Sequence, residues 1–257
     1  MARHIVALAL LALLLTVPLA QGQASGRDQV LLIEVEGVVT GGTALYVQQG
    51  IEEAQDRGIP VLIQLNTPGG LVDATLEIFQ TIDQSQVPVM TFVGPRGGFA
   101  ASAGTFILLM GHPSGMAPNT QIGSAQPIQQ NPAGGTTNAS EKTVNFLVQR
   151  MEGIAERTGR NTTIATRFIT ENLNMDQDRA LETGMIDAVS PDVQTFLSDV
   201  DGMEAITSRG PITLETDRAE VVPYERSLMV QIVDLIGNPQ VSFILFLVGL
   251  YGMIFGL

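Results

Sequence analysis

The chain of 257 residues contains no cysteine, no tryptophan and only two histidines, and it carries 13 basic residues against 26 acidic ones. Each scarcity excludes something. Without cysteine there is no thiolate nucleophile, no thiolate metal ligand and no disulfide. With a formal charge of −13 and no basic cluster, a phosphate backbone is repelled rather than steered in, so nucleic acid is not an expected partner. No metal or other cofactor is expected either. Among the basic residues a single lysine, Lys142, stands beside the arginines. Either the composition simply favours arginine, or position 142 requires a base that can lose its proton, which arginine in a protein essentially cannot do.

What the chain does have is two apolar ends. Residues 1–24, MARHIVALALLALLLTVPLAQGQA, run from Arg3 and His4 through an apolar stretch, Ile5 to Val17, to Pro18 and the small residues Gly22 and Ala24. This is the form of a secretory signal peptide, with a mature start near Ser25, and it predicts a domain on the extracytoplasmic side, in a periplasm or at a cell surface. An uncleaved anchor is the alternative. At the other end VSFILFLVGLYGMIFGL, 241–257, is uncharged. A transmembrane helix is expected over 240–257, although at 1.5 Å per residue it reaches only about 26 Å against a hydrocarbon core of about 30 Å. A longer membrane region or a buried terminal helix are the other readings. The preceding segment 227–239 puts Leu228, Ile232, Leu235 and Ile236 on one helical face, as an interfacial helix does.

Between the ends, three apolar runs bounded by Gly or Pro read as buried strands: VLLIEVEG (30–37), PVLIQLN (60–66) and PVMTFVG (88–94). Helical patterns over 43–58 and 71–85 separate them, which predicts parallel pairing through right-handed crossovers. A turn-rich loop follows at 131–140, then helices over 140–158, 162–171 and 176–184, and a short strand in MIDAV. The polar, proline-interrupted residues 201–226 read as a linker, leaving 25–200 as the domain.

Ligands of parallel α/β sheets bind at the carboxyl ends of strands, so those loops are where chemistry is sought. The second strand ends in NTPGG, 66–70, where Gly69 and Gly70 let backbone N–H groups approach a ligand, as an oxyanion hole requires. The third ends in GPRGGFAASAGTF, where a helix is expected to begin with Ser102 in or near its first turn. There the N–H of Ala103 is free to join that of Gly70 in holding an oxyanion. Ser102 has two readings from these residues, a helix cap in tight packing or a nucleophile. A nucleophile needs a base. His4 leaves with a signal peptide, and His112 belongs at the far end of the helix that Ser102 starts, about 14 Å away. Lys142 remains. Asn138 and Glu141 are spaced as a capping box, which puts Lys142 in the first turns of a helix, where the dipole lowers a lysine pKa. The apolar stripe of that helix is Val144, Leu147, Val148, Met151, Ile154 and Ala155, with Lys142 away from it on the side of Phe146.

The segments NTPGG, FAASAGT, IGSAQP and ALETGMIDAV, in this order, resemble the ClpP/crotonase superfamily, and more narrowly the membrane-bound serine protease domain of the NfeD family, relatives of signal peptide peptidase A. The resemblance implies an α/β, ββα spiral fold with mainly parallel strands. It implies Ser102 as nucleophile and Lys142 as general base of a Ser/Lys dyad, with Gly70 and Ala103 as oxyanion donors and Gly69 and Phe146 at the substrate. Self-assembly into dimers or larger forms, cleavage of apolar segments of membrane-associated proteins and a stomatin-like partner are implied as well. A non-catalytic membrane scaffold and a crotonase-like acyl-CoA enzyme are the competing expectations.

Overall fold

The three apolar runs form β1 (Gln29–Glu36), β2 (Val61–Asn66) and β3 (Val89–Val93) in a computed structural model that describes residues 29–130, 135–237 and 239–256. The signal-peptide expectation over 1–24 lies outside the described residues. The crossovers are α1 (Gly41–Arg57) and α2 (Val72–Asp83). Three more strands complete a six-stranded sheet: β5 (Ser114–Met116), β10 (Ala188–Val189) and β13 (Glu220–Pro223), in the order β10-β5-β3-β2-β1-β13. Every neighbouring pair in it is parallel, as expected. The sheet is covered on both faces, which is why its central strands read as unbroken apolar runs. Successive side chains point to opposite faces. Val61, Ile63 and Leu65 pack under the helices on one side; Leu62, Met90 and Phe92 pack on the other against Phe196 and Leu197 of α7 (Val193–Asp199).

A second, three-stranded sheet holds β4 (Phe99–Ala101), β6 (Gln121–Gly123) and β9 (Asn174–Asp176). β3 in the large sheet, β4 in the small one and then α3 (Ala103–Met110) make one ββα unit. A hairpin of β7 (Ile128–Gln130) and β8 (Thr136–Asn138) leads into α4 (Glu141–Arg157), which packs on α5 (Thr162–Thr170) and is followed by α6 (Gln177–Glu182). The apolar stripe of α4 is as the spacing predicts: Leu147, Met151, Ile154 and Ala155 are buried, with Val144 and Val148 partly so.

Three expectations are corrected. Phe99–Ala101 is a strand rather than the start of the helix, because its backbone pairs with β6. Residues 201–226 are not a linker: β11 (Glu204–Thr207) and β12 (Gly210–Thr213) form a hairpin, and β13 extends the main sheet beside β1. Proline is tolerated in both places because these are edge strands. The helix α9 (Pro239–Phe255) that follows α8 (Leu228–Gly237) has 17 residues, and among the described residues no helix is long and apolar enough to cross a membrane. On α8, Val230 is buried while Leu228, Ile232, Leu235 and Ile236 are exposed.

A buried ion pair ties the α4–α5 turn to the sheet. The guanidinium of Arg160 meets Asp187 at 3.2 Å and donates to Ser114 Oγ at 2.8 Å and to the carbonyl of Gly111 at 3.1 Å. Asp187 in turn accepts from the backbone N–H of Ser114 at 2.7 Å. Burial pushes the Arg160 pKa down, and Asp187 opposes that. Asp187→Ala strands the guanidinium without a counter-charge and is expected to cost about 3 kcal/mol, whereas replacing both partners by apolar residues costs far less. Urea midpoints of the two variants check this; equal losses would contradict it.

Candidate active site

The end of β2 and the small strand β4 are pinned together by Thr67. Its N–H donates to the carbonyl of Phe99 at 2.8 Å, and its carbonyl accepts from the N–H of Ala101 at 3.0 Å. Its hydroxyl donates to the Gly37 carbonyl at 2.6 Å and accepts from the N–H of Gly69 at 3.0 Å. The Gly69–Gly70 turn is thereby pressed against Ser102. Gly69 has φ +106, and a Cβ on it would lie 2.5 Å from the Cβ of Ser102 and 3.1 Å from its Oγ. A Cβ on Gly70 would lie 2.1 Å from the carbonyl oxygen of Val39, with which that turn pairs. Only glycine fits either place.

Ser102 sits between β4 and α3 with φ 51 and ψ −114, in backbone space that a residue with a side chain rarely adopts. Such strain costs about 1–3 kcal/mol and persists where the surroundings over-determine it. Here Ser102 N–H donates to the carbonyl of Gly123 at 3.2 Å, and Thr105 Oγ1 bridges by donating to the Ala100 carbonyl at 2.9 Å while accepting from Gly123 N–H at 3.0 Å. The side chain of Ser102 makes no capping hydrogen bond, so the capping explanation of this serine fails. A strand, a strained serine and a helix in succession place a hydroxyl at the head of the helix, an arrangement also found at the nucleophile elbow of α/β-hydrolases.

Gly70, Ser102 and Ala103 line one cleft. The backbone N–H groups of Gly70 and Ala103 take no acceptor among the described residues. A hydroxyl flanked by two uncommitted N–H donors is what acyl transfer requires of a site. The rest of the cleft is lined by apolar side chains of α2, α3 and α4, including Leu76, Phe79, Phe106 and Leu147. Ala125 and Pro127, from the IGSAQP segment, form another part of its wall. Its one charged lining residue is Arg150, which the sequence reading missed; a cation four residues beyond Phe146 on α4 was the available signal.

Lys142 does not line the Ser102 cleft. It is the second residue of α4, as expected, but the cap is Ser140, which accepts from Thr143 N–H at 3.3 Å, and not Asn138, which belongs to β8. Lys142 is exposed, and among the described residues its ammonium has no hydrogen bond or ion pair. Lys142, Phe146 and Arg150 follow one another at four-residue spacing on one side of α4. Phe146 is exposed and does not line the cleft; its ring packs against Arg150, 5.2 Å from the guanidinium carbon.

The profile of the NfeD1b N-terminal domain matches residues 29–193. The chain belongs to this NfeD family. It is 35% identical over 236 residues to the membrane-bound protease PH1510 of Pyrococcus horikoshii, covering 90% of the chain and 53% of that protein. It is 25% identical over 185 residues to membrane protein NfeD1b of Bacillus subtilis, covering 66% of the chain and 41% of that protein. The chain thus spans about half the length of the curated relatives it matches. Two solved structures of the Pyrococcus 1510-N membrane-bound stomatin-specific protease match its fold. A serine-to-alanine mutant has a TM-score of 0.74 at 35% identity, over 78% of this chain and 99% of that one. A lysine-to-alanine mutant in complex with a substrate peptide has a TM-score of 0.76 at 33% identity, over 82% and 99%.

In this NfeD-family chain His112 stands apart from the cleft, beyond the end of α3, as the helix length predicts. Burial lowers its pKa below the usual imidazole value, more than neighbouring Asp187 raises it, and its Nδ1 is buried without a partner. The fold therefore favours the neutral ring. As pH falls below about 6.5 the unfolded chain takes up that proton first, so stability drops on the acid side of neutrality. His112→Gln is expected to flatten the dependence of the denaturation midpoint between about pH 7 and pH 5.5; an unchanged slope would contradict this.

Proposed function

We propose that this chain is a serine endopeptidase in which Ser102 attacks a peptide carbonyl and Lys142 is the base. The observation that carries the reading is Ser102 itself, a strained, uncapped serine between the free N–H groups of Gly70 and Ala103 at an apolar cleft. The hydroxyl gives its proton to the neutral amine of Lys142 as Oγ bonds to the carbonyl carbon. Gly70 and Ala103 donate to the oxyanion, each worth roughly 10²- to 10³-fold in rate. Collapse expels the leaving amine, which takes the proton back from Lys142, and water then hydrolyses the acyl-serine by the same route. Gly69 shapes the turn, and Phe146 flanks the substrate together with the cleft. Lys142 has to approach for this, so the amino-terminal end of α4 closes on Ser102 when a substrate or a second copy of the chain covers it.

The relatives support the reading: the serine and the lysine mutated in the 1510-N structures are separated by nearly the same number of residues as Ser102 and Lys142. By analogy with that stomatin-specific protease, the substrates are apolar segments of membrane-associated proteins and a stomatin-like protein is a partner. The apolar side chains exposed along α8 and α9, among them Leu228, Phe243, Phe246 and Ile254, support a contact with a membrane. The signal-peptide-like pattern of residues 1–24 supports a domain on the extracytoplasmic side.

One observation favours a non-catalytic scaffold instead: Lys142 is exposed and makes no hydrogen bond or ion pair among the described residues. The two readings separate on variants. Ser102→Ala and Lys142→Ala are each expected to lower the cleavage of an apolar peptide by at least about 10³-fold while leaving the denaturation midpoint in place. Lys142→Arg is expected to be as inactive as Lys142→Ala. Cleavage that survives in any of the three overturns the Ser/Lys reading.

A further inference from the structure

Acidic residues outnumber basic ones two to one in this chain, and arginines find carboxylates readily: Arg57, Arg157, Arg160, Arg167, Arg218 and Arg226 each pair with one. Arg150 does not. Among the described residues its guanidinium has no ion pair and no hydrogen bond, although it is the one charged side chain lining the Ser102 cleft. Its contacts are rings. The guanidinium carbon lies 5.6 Å from the centroid of Phe79 and 5.2 Å from that of Phe146, within the range of cation–π attraction. Phe79 comes from α2 and Phe146 from α4, so the head group is held between two elements of the cleft.

Ring contacts hold an arginine in place without using its N–H donors, so five donors in a fixed plane face solvent at the edge of an apolar cleft. A fixed fork with unused donors is matched to a carboxylate, and holding it beforehand reduces the entropy lost on binding. We propose that Arg150 forms a carboxylate subsite, so that the preferred substrates are apolar segments carrying one carboxylate near the residue that fills the cleft. This rests on the peptidase reading for its meaning, but not for its measurement. A neutral apolar peptide leaves the guanidinium to water; a carboxylate takes up its donors in a charge-assisted pair. The carboxylate is supplied by an Asp or Glu side chain or by a chain terminus.

The test is binding to Ser102→Ala, which holds peptides without cutting them. Ten-residue apolar peptides with amidated ends carry a single Glu that moves along the sequence, each matched by a Gln counterpart, and one further pair compares a free terminal carboxylate with its amide. At one Glu position, or at the free terminus, the carboxylate form is expected to bind about three- to tenfold more tightly, which also identifies the source. The preference should weaken in high salt, vanish in Ser102→Ala/Arg150→Gln and persist only in part in Ser102→Ala/Arg150→Lys, which keeps the charge but loses the fork. Equal binding of every pair, or a preference that survives Arg150→Gln, overturns the subsite. Cleavage of the all-apolar peptide by the unaltered chain is measured alongside. Its absence would sink the peptidase reading, while a carboxylate preference dependent on Arg150 would still establish the subsite.

Discussion

The candidate site depends on the contact between Thr67 and Ala100, where the end of the large sheet touches the small one. Two backbone hydrogen bonds there fix the Gly69–Gly70 turn relative to Ser102, and the Thr67 hydroxyl locks the turn to Gly37 on one side and Gly69 on the other. Nothing larger than glycine is admitted. A Cβ on Gly104 would lie 2.7 Å from Thr67 Cγ2, as one on Gly69 would collide with Ser102. The small residues around Ser102 are therefore the condition for bringing two backbone N–H groups and a hydroxyl to the head of one cleft, and the strain at Ser102 is held by the bonds through Gly123 and Thr105.

Much of this was legible in the residues, for physical reasons. Strands buried on both faces leave continuous apolar runs, so β1, β2 and β3 and their parallel order could be read directly. The glycine turn and Ser102 could be placed at strand ends because the topology leaves few other positions. What could not be read are features set by pairing over long distances. The strand Phe99–Ala101 is three residues long and exists because β6 lies beside it. β13 has no apolar run of its own and is a strand only through its register with β1. Arg150 escaped notice because its four-residue spacing from Phe146 gains meaning only once the ring of Phe79 and the mouth of the cleft are seen beside it.

Lys142 marks the boundary between fold and function. Helix capping at Ser140 fixes its position, its side of α4 carries Phe146 and Arg150, and it is exposed among the described residues. Under the proposed function, a base of this kind that only substrate or a second copy covers would keep the site inert until it is engaged.

The most direct test of the central claim is the intact mass of the chain after reaction with a fluorophosphonate in the presence of an apolar peptide. The account predicts a single covalent adduct, on Ser102, that fails to form in Lys142→Ala. No adduct, an adduct on another residue, or one that forms equally without Lys142 would contradict it.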